Sequence, residues 1–164
     1  MRQFAFIVCL LFAICVNAQK IKGMGENKTA REEVANRNDK LGRKLFLASS
    51  FKDVAKFFVD FAGGDLEGKR VTFIPTASIP ESVKFFVSSG RKTLEKLGLT
   101  VDELELTQAS EQEIRDKLEK NDYIYITGGN TFFLLQELRK TGADEIIVEQ
   151  IEQGKLYIGE SAGS

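Results

Sequence analysis

The chain has 164 residues, 43% of them hydrophobic and 29% charged, which is the composition of a folded globular protein rather than a disordered one. Its formal net charge of −1 gives no electrostatic reason to expect nucleic acid as a partner. Because the sequence contains no histidine, it excludes a zinc site with histidine ligands and a Ser-His-Asp unit completed within these residues.

Residues 1–18 have the pattern of a secretory signal peptide. Arg2 precedes an apolar run over residues 4–16, and Val16 and Ala18 stand at the −3 and −1 positions of a cleavage site. A membrane span needs roughly 20 apolar residues, so this run is too short for one. We expect cleavage after Ala18, a secreted protein, and no membrane association after cleavage. An uncleaved anchor and a buried helix are the alternatives.

Residues 19–43 form a polar leader with few large apolar residues, and a surface helix over residues 30–38 is an alternative. Asn27 begins an Asn-Lys-Thr glycosylation sequon. Both cysteines, Cys9 and Cys15, lie in the predicted signal peptide, so the mature chain is expected to have no disulfide. Its stability must then come from a packed core.

From residue 44 onward, apolar strand-like runs alternate with amphipathic helical segments. In the first helix Val54, Phe57, Phe58 and Phe61 recur at helical spacing. Ser110 and Glu113 form a capping box that opens a later helix. The predicted strands cover residues 44–48, 70–75, 99–106, 123–127 and 155–158, and the predicted helices cover residues 51–62, 81–97, 111–120, 131–140 and 143–153.

Five strands that alternate with helices indicate an α/β fold, a three-layer sandwich with a mostly parallel sheet covered on both faces. In such sheets ligands bind beyond the carboxyl ends of the strands. Small and polar residues gather there, in segments 49–50, 75–78, 127–131 and 159–163. Ordinary turn chemistry also explains such residues, but the last two segments are more specific.

The segment Gly159-Glu160-Ser161-Ala162-Gly163 matches the G-x-S-x-G nucleophile elbow and directly follows a predicted strand. A sharp strand-to-helix turn lifts the serine hydroxyl out of the sheet. Glycines are needed two residues to either side because the turn leaves no room for side chains. The N–H after the serine then points at a developing oxyanion.

The glycine turn at residues 127–131 also follows a strand and opens a helix. Asn130 or Thr131 is expected to cap that helix. Its glycine N–H groups are candidates for the second half of an oxyanion hole, and a phosphate cradle is the competing interpretation. Since no Gly-Lys-Ser/Thr and no G-x-G-x-x-G pattern is present, a P-loop and a dinucleotide site are excluded.

Residues 44–164 resemble peptidase family S51, the dipeptidase E group, most specifically in segments 125–132 and 156–163. The resemblance implies a class I glutamine-amidotransferase-like fold with Ser161 as nucleophile and the N–H groups of Gly129 and Ala162 as oxyanion hole. It also implies short peptide substrates, dipeptides with an N-terminal aspartate in the best-known members, and no cofactor or metal.

Two departures qualify the resemblance: the catalytic histidine is missing, and the chain begins with a predicted signal peptide, whereas the members of the family compared are cytosolic and bacterial. Members of the family continue past the nucleophile and carry a catalytic histidine there, whereas this sequence stops three residues after Ser161. Residues 44–164 are therefore interpreted as the N-terminal, nucleophile-bearing part of a C-terminally truncated domain, inactive as it stands. A secreted, non-catalytic binding domain that retains the fold is the alternative function. The last strand is expected at an exposed edge of the sheet, which favours aggregation or oligomerisation.

Overall fold

The computed structural model describes residues 42–164, so the predicted signal peptide, Asn27 and nearly all of the polar leader lie outside the described residues. Five strands form one sheet in the order β1-β5-β4-β2-β3, and every neighbouring pair is parallel. The α/β fold is thereby confirmed. The strands are β1 Leu45–Ala48, β2 Arg70–Ile74, β3 Thr100–Glu103, β4 Tyr123–Ile126 and β5 Leu156–Glu160.

Helices cover both faces of the sheet. Tyr123 and Tyr125 of β4 belong to one buried apolar cluster, and the alternating Ile124 and Ile126 belong to the other. α1 and α2 pack in the first cluster, and α3, α4 and α5 pack in the second. This alternation is why β4 reads as a continuous apolar run. The helices are α1 Phe51–Ala62, α2 Phe85–Lys96, α3 Glu111–Lys120, α4 Thr131–Thr141 and α5 Ala143–Glu152.

Local capping signals are found where the sequence predicts them. The Ser110 hydroxyl accepts a hydrogen bond from the Glu113 N–H at 3.2 Å, and the Asn130 side chain accepts one from Phe133 at 3.0 Å. Gly63 ends α1 at a φ of 96°, in the left-handed region. The predicted helix at 81–97 is too long, because a 3₁₀ turn at Thr76–Ser78 and the following tight turn postpone the start of α2.

The last strand does not lie at an edge of the sheet, so that expectation is wrong. β5 pairs with β1 on one side and β4 on the other, which leaves β1 and β3 as the edges. Ala48 lies opposite Glu160, and Ile126 lies opposite Gly159. The residues that follow β5 therefore emerge between the ends of two other strands.

Candidate active site

Ser161 directly follows β5 and begins a 3₁₀ turn, Ser161–Gly163. Its φ is 52°, and no other non-glycine residue between 42 and 164 has a positive φ. Such a conformation costs about 1–3 kcal/mol and persists where the surrounding structure enforces it. Ser161 is exposed, so the turn presents its hydroxyl at the carboxyl rim of the sheet.

The two glycines of the elbow are required by close backbone approaches. A Cβ on Gly159 would lie 2.3 Å from the Gly163 carbonyl oxygen, and a Cβ on Gly163 would lie 2.5 Å from the Ile126 carbonyl oxygen. The Ser164 N–H donates to the Ser161 carbonyl at 3.0 Å and closes the turn. These contacts agree with the physical reason the sequence motif gives for glycine on both sides of the serine.

The glycine turn after β4 packs directly against Ser161. A Cβ on Gly128 would lie 3.1 Å from the Ser161 Cβ and 3.6 Å from its Oγ. Sequence reasoning singled out Gly129 and missed Gly128, although neighbouring strands β4 and β5 would bring this turn to the serine. Gly129 itself has a φ of 139°, and the Ala77 carbonyl oxygen occupies the space beside it.

Two N–H groups at this rim are available to a ligand. Within residues 42–164, the Gly129 N–H donates no hydrogen bond to the protein, whereas the next N–H, of Asn130, donates to Ala77 at 2.7 Å. Ala162 is the second residue of the 3₁₀ turn, and N–H groups in a first turn have no intrahelical acceptor. This arrangement can hold a negatively charged oxygen.

A buried carboxylate lies immediately before the serine, and sequence reasoning assigned it no role. Glu160 is 6% exposed. It accepts hydrogen bonds from the Phe51 N–H at 2.9 Å and the Tyr125 hydroxyl at 2.7 Å. Burial, and secondarily the charge and hydrogen bond of Glu160, raises the pKa of Tyr125 far above its usual range. The tyrosine therefore remains a proton donor to the carboxylate.

Tyr157 supports the elbow from the opposite face of the sheet. Its hydroxyl donates to the Gly163 carbonyl oxygen, and burial raises its pKa above the ordinary value for tyrosine. Within the described part of the chain, no group of three or more His, Cys, Asp or Glu residues is arranged to hold a metal ion. None of the helices described there is both long and apolar enough to cross a membrane.

A groove of about 470 Å³ runs along the edge strand β1 and the start of α1. Ser49 and Ser50 line it where β1 ends, but Ser161 does not. Ser161 is exposed and directly follows Glu160, which lies opposite Ala48 of the groove lining.

The described residues thus combine an all-parallel α/β sheet with a strained G-x-S-x-G turn at the end of one of its inner strands. The model of peptidase family S51 matches residues 44–164, and the chain belongs to that family. An uncharacterized peptidase of Listeria monocytogenes is 62% identical over 122 residues, covering 74% of this chain and 59% of its own length. Peptidase E of Haemophilus influenzae is 32% identical over 100 residues, covering 61% of this chain and 44% of its own length.

Two crystal structures resemble the described fold. One, from Listeria monocytogenes EGD-e and provisionally named Peptidase E, has a TM-score of 0.72 and 62% identity, covering 74% of this chain and 59% of that protein. The other, a peptidase from an acI-B1 actinobacterium, has a TM-score of 0.57 and 26% identity, covering 73% and 54%. The chain thus spans somewhat more than half the length of these two proteins and less than half of the Haemophilus influenzae peptidase E.

Proposed function

We propose that this chain contributes the nucleophile and oxyanion hole of a serine-type peptidase that hydrolyses short peptides. The observation that carries the proposal is the exposed Ser161 at a φ of 52°, seated between the elbow glycines and the Gly128-Gly129 turn. Membership of a peptidase family supports peptide hydrolysis as the reaction. Because the resemblance to the dipeptidase E group implies dipeptide substrates, dipeptides are the first substrates to assay.

In this mechanism the Ser161 hydroxyl oxygen attacks the carbonyl carbon of the peptide bond. The N–H groups of Gly129 and Ala162 bind the resulting oxyanion, a contribution typically worth about 10²–10³ in kcat per donor. A general base must take the hydroxyl proton and give it to the leaving amine as the C–N bond breaks, and must then activate the water that hydrolyses the acyl group from Ser161. The sequence holds no histidine, so that base comes from residues outside it, and the chain alone is expected to show no appreciable turnover.

The test supplies the missing residues from a relative. The matched segment of the Listeria monocytogenes peptidase is exchanged for residues 44–164 of this chain, and its unmatched remainder is kept. We expect this grafted enzyme to hydrolyse a dipeptide panel and Ser161→Ala to abolish the activity. Ser49→Ala is the matched control, because it removes an exposed hydroxyl at the end of the neighbouring strand. Full activity in Ser161→Ala refutes the proposal.

A second candidate is a secreted binding domain that keeps the fold without catalysis, favoured by the absence of histidine from the sequence. The isolated chain distinguishes the two. If it binds dipeptides as tightly after Ser161→Ala as before and the grafted enzyme is inactive, the binding function is supported. If the grafted enzyme turns over, the peptidase function stands.

Secretion is part of the proposal and rests on residues 1–18 of the sequence. When the full chain is expressed in a secreting host, the protein in the medium is expected to begin at Gln19. Ala18→Asp should block cleavage, because the −1 position takes only small residues. Recovery of the uncut chain inside the cells, with Met1 retained, would contradict secretion.

A further inference from the structure

We propose that Glu160 is a positioning residue whose buried carboxylate holds Ser161 in its strained conformation. The effect of Glu160 on catalysis rests on the proposed function, whereas its effect on the conformation of Ser161 does not. We do not expect Glu160 to contact the substrate. Its side chain is buried in the apolar layer between the sheet and α1, whereas Ser161 is exposed.

The carboxylate connects three separate elements of the fold. Oε1 accepts from the Phe51 N–H, the first of α1, and Oε2 accepts from the Tyr125 hydroxyl in β4. Ser50, the N-cap residue of α1, makes no side-chain capping bond. Glu160 therefore satisfies a helix N-terminus that the local sequence leaves unsatisfied, and the helix dipole favours a negative charge there.

The fold makes room for this arrangement at Gly90, inside α2. A Cβ on Gly90 would lie 2.6 Å from the Tyr125 hydroxyl oxygen and 3.6 Å from Glu160 Oε2. Glycine weakens the interior of a helix, so its presence at a buried position of α2 is explained by the space that the tyrosine hydroxyl needs. The pair is thus a tightly enclosed contact rather than a chance approach.

Strained residues persist only where neighbouring contacts determine their conformation. On one side of Ser161, Glu160 is fixed to α1 and β4. On the other side, Tyr157 donates to the Gly163 carbonyl oxygen. The segment from Glu160 to Gly163 is therefore held on both sides of Ser161, which restricts the direction of the serine side chain.

Two substitutions separate hydrogen bonding from space filling. Glu160→Leu fills a similar volume but accepts no hydrogen bond. Glu160→Gln keeps an acceptor for the Phe51 N–H and can donate to the Tyr125 oxygen. Leu118→Ala is the control for general destabilisation. Leu118 is fully buried, and its carbonyl accepts from Lys155, at the amino end of β5 and far along the strand from Ser161.

Amide hydrogen exchange in the full chain tests whether Glu160 fixes the conformation of Ser161, and it requires no enzymatic activity. In Glu160→Leu we expect exchange to accelerate about tenfold more than in α3 at Phe51, whose N–H loses its acceptor, and at Ser164, whose N–H closes the turn on Ser161. Glu160→Gln should restore slow exchange at these amides. If the amides of Glu160→Leu accelerate uniformly along the chain, as expected for Leu118→Ala, the proposal is overturned.

Kinetics of the grafted enzyme test the consequence for catalysis. We expect Glu160→Leu to lower kcat on the order of 100-fold with KM nearly unchanged, because a misdirected nucleophile affects the reaction and not substrate binding. Glu160→Gln should recover most of kcat, and Leu118→Ala should leave kcat per folded molecule unchanged. Equal kcat in all three variants overturns the positioning role. A grafted enzyme without activity refutes the proposed function, and the exchange result still decides the role of Glu160.

Discussion

The substitution Gly129→Ala tests whether the glycine turn owes its shape to close packing on the neighbouring loop. A Cβ at this position would lie 2.1 Å from the Ala77 carbonyl oxygen, and 2.7 Å from the Ser78 nitrogen. Backbone atoms cannot rotate away as a flexible side chain can. The loop at residues 76–78 must therefore move or the turn must open.

Gly64→Ala is the matched control. Gly64 also has a positive φ, 89°, but a Cβ there would meet nothing within 4 Å. Its cost is then the conformational strain alone, roughly 1–2 kcal/mol. Gly129→Ala carries a comparable strain, with a φ of 139°, and adds an overpacking cost of about 1–3 kcal/mol. The expected loss is therefore about 2–5 kcal/mol.

Urea denaturation of the full chain and both variants, followed by circular dichroism, measures these losses as shifts of the midpoint at constant slope. We expect a lower midpoint for Gly129→Ala than for Gly64→Ala. Equal midpoints in the two variants would refute it, because they would mean that the approach of Ala77 to the turn contributes nothing.

Three further predictions concern stability. Asn130→Ala should cost about 1 kcal/mol through loss of its capping bond, whereas Ser50→Ala, at an N-cap without such a bond, should cost little; equal losses by urea denaturation contradict this. Ser161→Gly should be better tolerated than Ser49→Gly by about 1–2 kcal/mol, since only Ser161 has a positive φ to relieve; the reverse order contradicts it. All three tyrosines have raised pKa values in the folded chain. Raised values favour the protonated form, so the contribution of the tyrosines to folding stability should be constant below about pH 10 and decline above it, by up to about 1.4 kcal/mol per pH unit for Tyr125 and for Tyr157. Tyr157→Phe should reduce that slope in urea titrations at pH 10–11, and an unchanged slope refutes the assignment.

Periodicity predicted the fold well because burial on both faces of the sheet leaves a direct trace in the sequence. The apolar run of β4 and the helical spacing of Val54, Phe57, Phe58 and Phe61 each predicted an element that the structure contains. The capping residues Ser110 and Asn130 were also predicted from the sequence, since they act through local hydrogen bonds. The wrong prediction placed the last strand at an edge of the sheet, and it failed because it concerned long-range strand pairing. β5 pairs with β1, the first strand of the sheet along the chain, and no local pattern in the sequence shows that pairing.

In the candidate site, too, the local motif was predicted from the sequence and the long-range contacts were not. Ser161 and its flanking glycines form a local motif, so their spacing was enough to identify the elbow. The roles of Gly128 and Glu160 depend on which elements meet there. Gly128 reaches Ser161 because β4 and β5 are neighbours, and Glu160 reaches Phe51, 109 residues earlier, because β1 and β5 are neighbours. The sequence signal that could have identified Glu160 is its position as an acidic residue at the end of an apolar strand.

If Ser161 is the nucleophile of a peptidase, it should react covalently with reagents that capture activated serines. The most direct measurement is to react the grafted enzyme with a fluorophosphonate, which forms a stable bond with an activated serine, and to locate the adduct by peptide mass spectrometry. We expect a single adduct on Ser161, loss of dipeptide hydrolysis in proportion to its formation, and no adduct in Ser161→Ala. An adduct on another residue, or dipeptide hydrolysis that survives complete modification of Ser161, would contradict it.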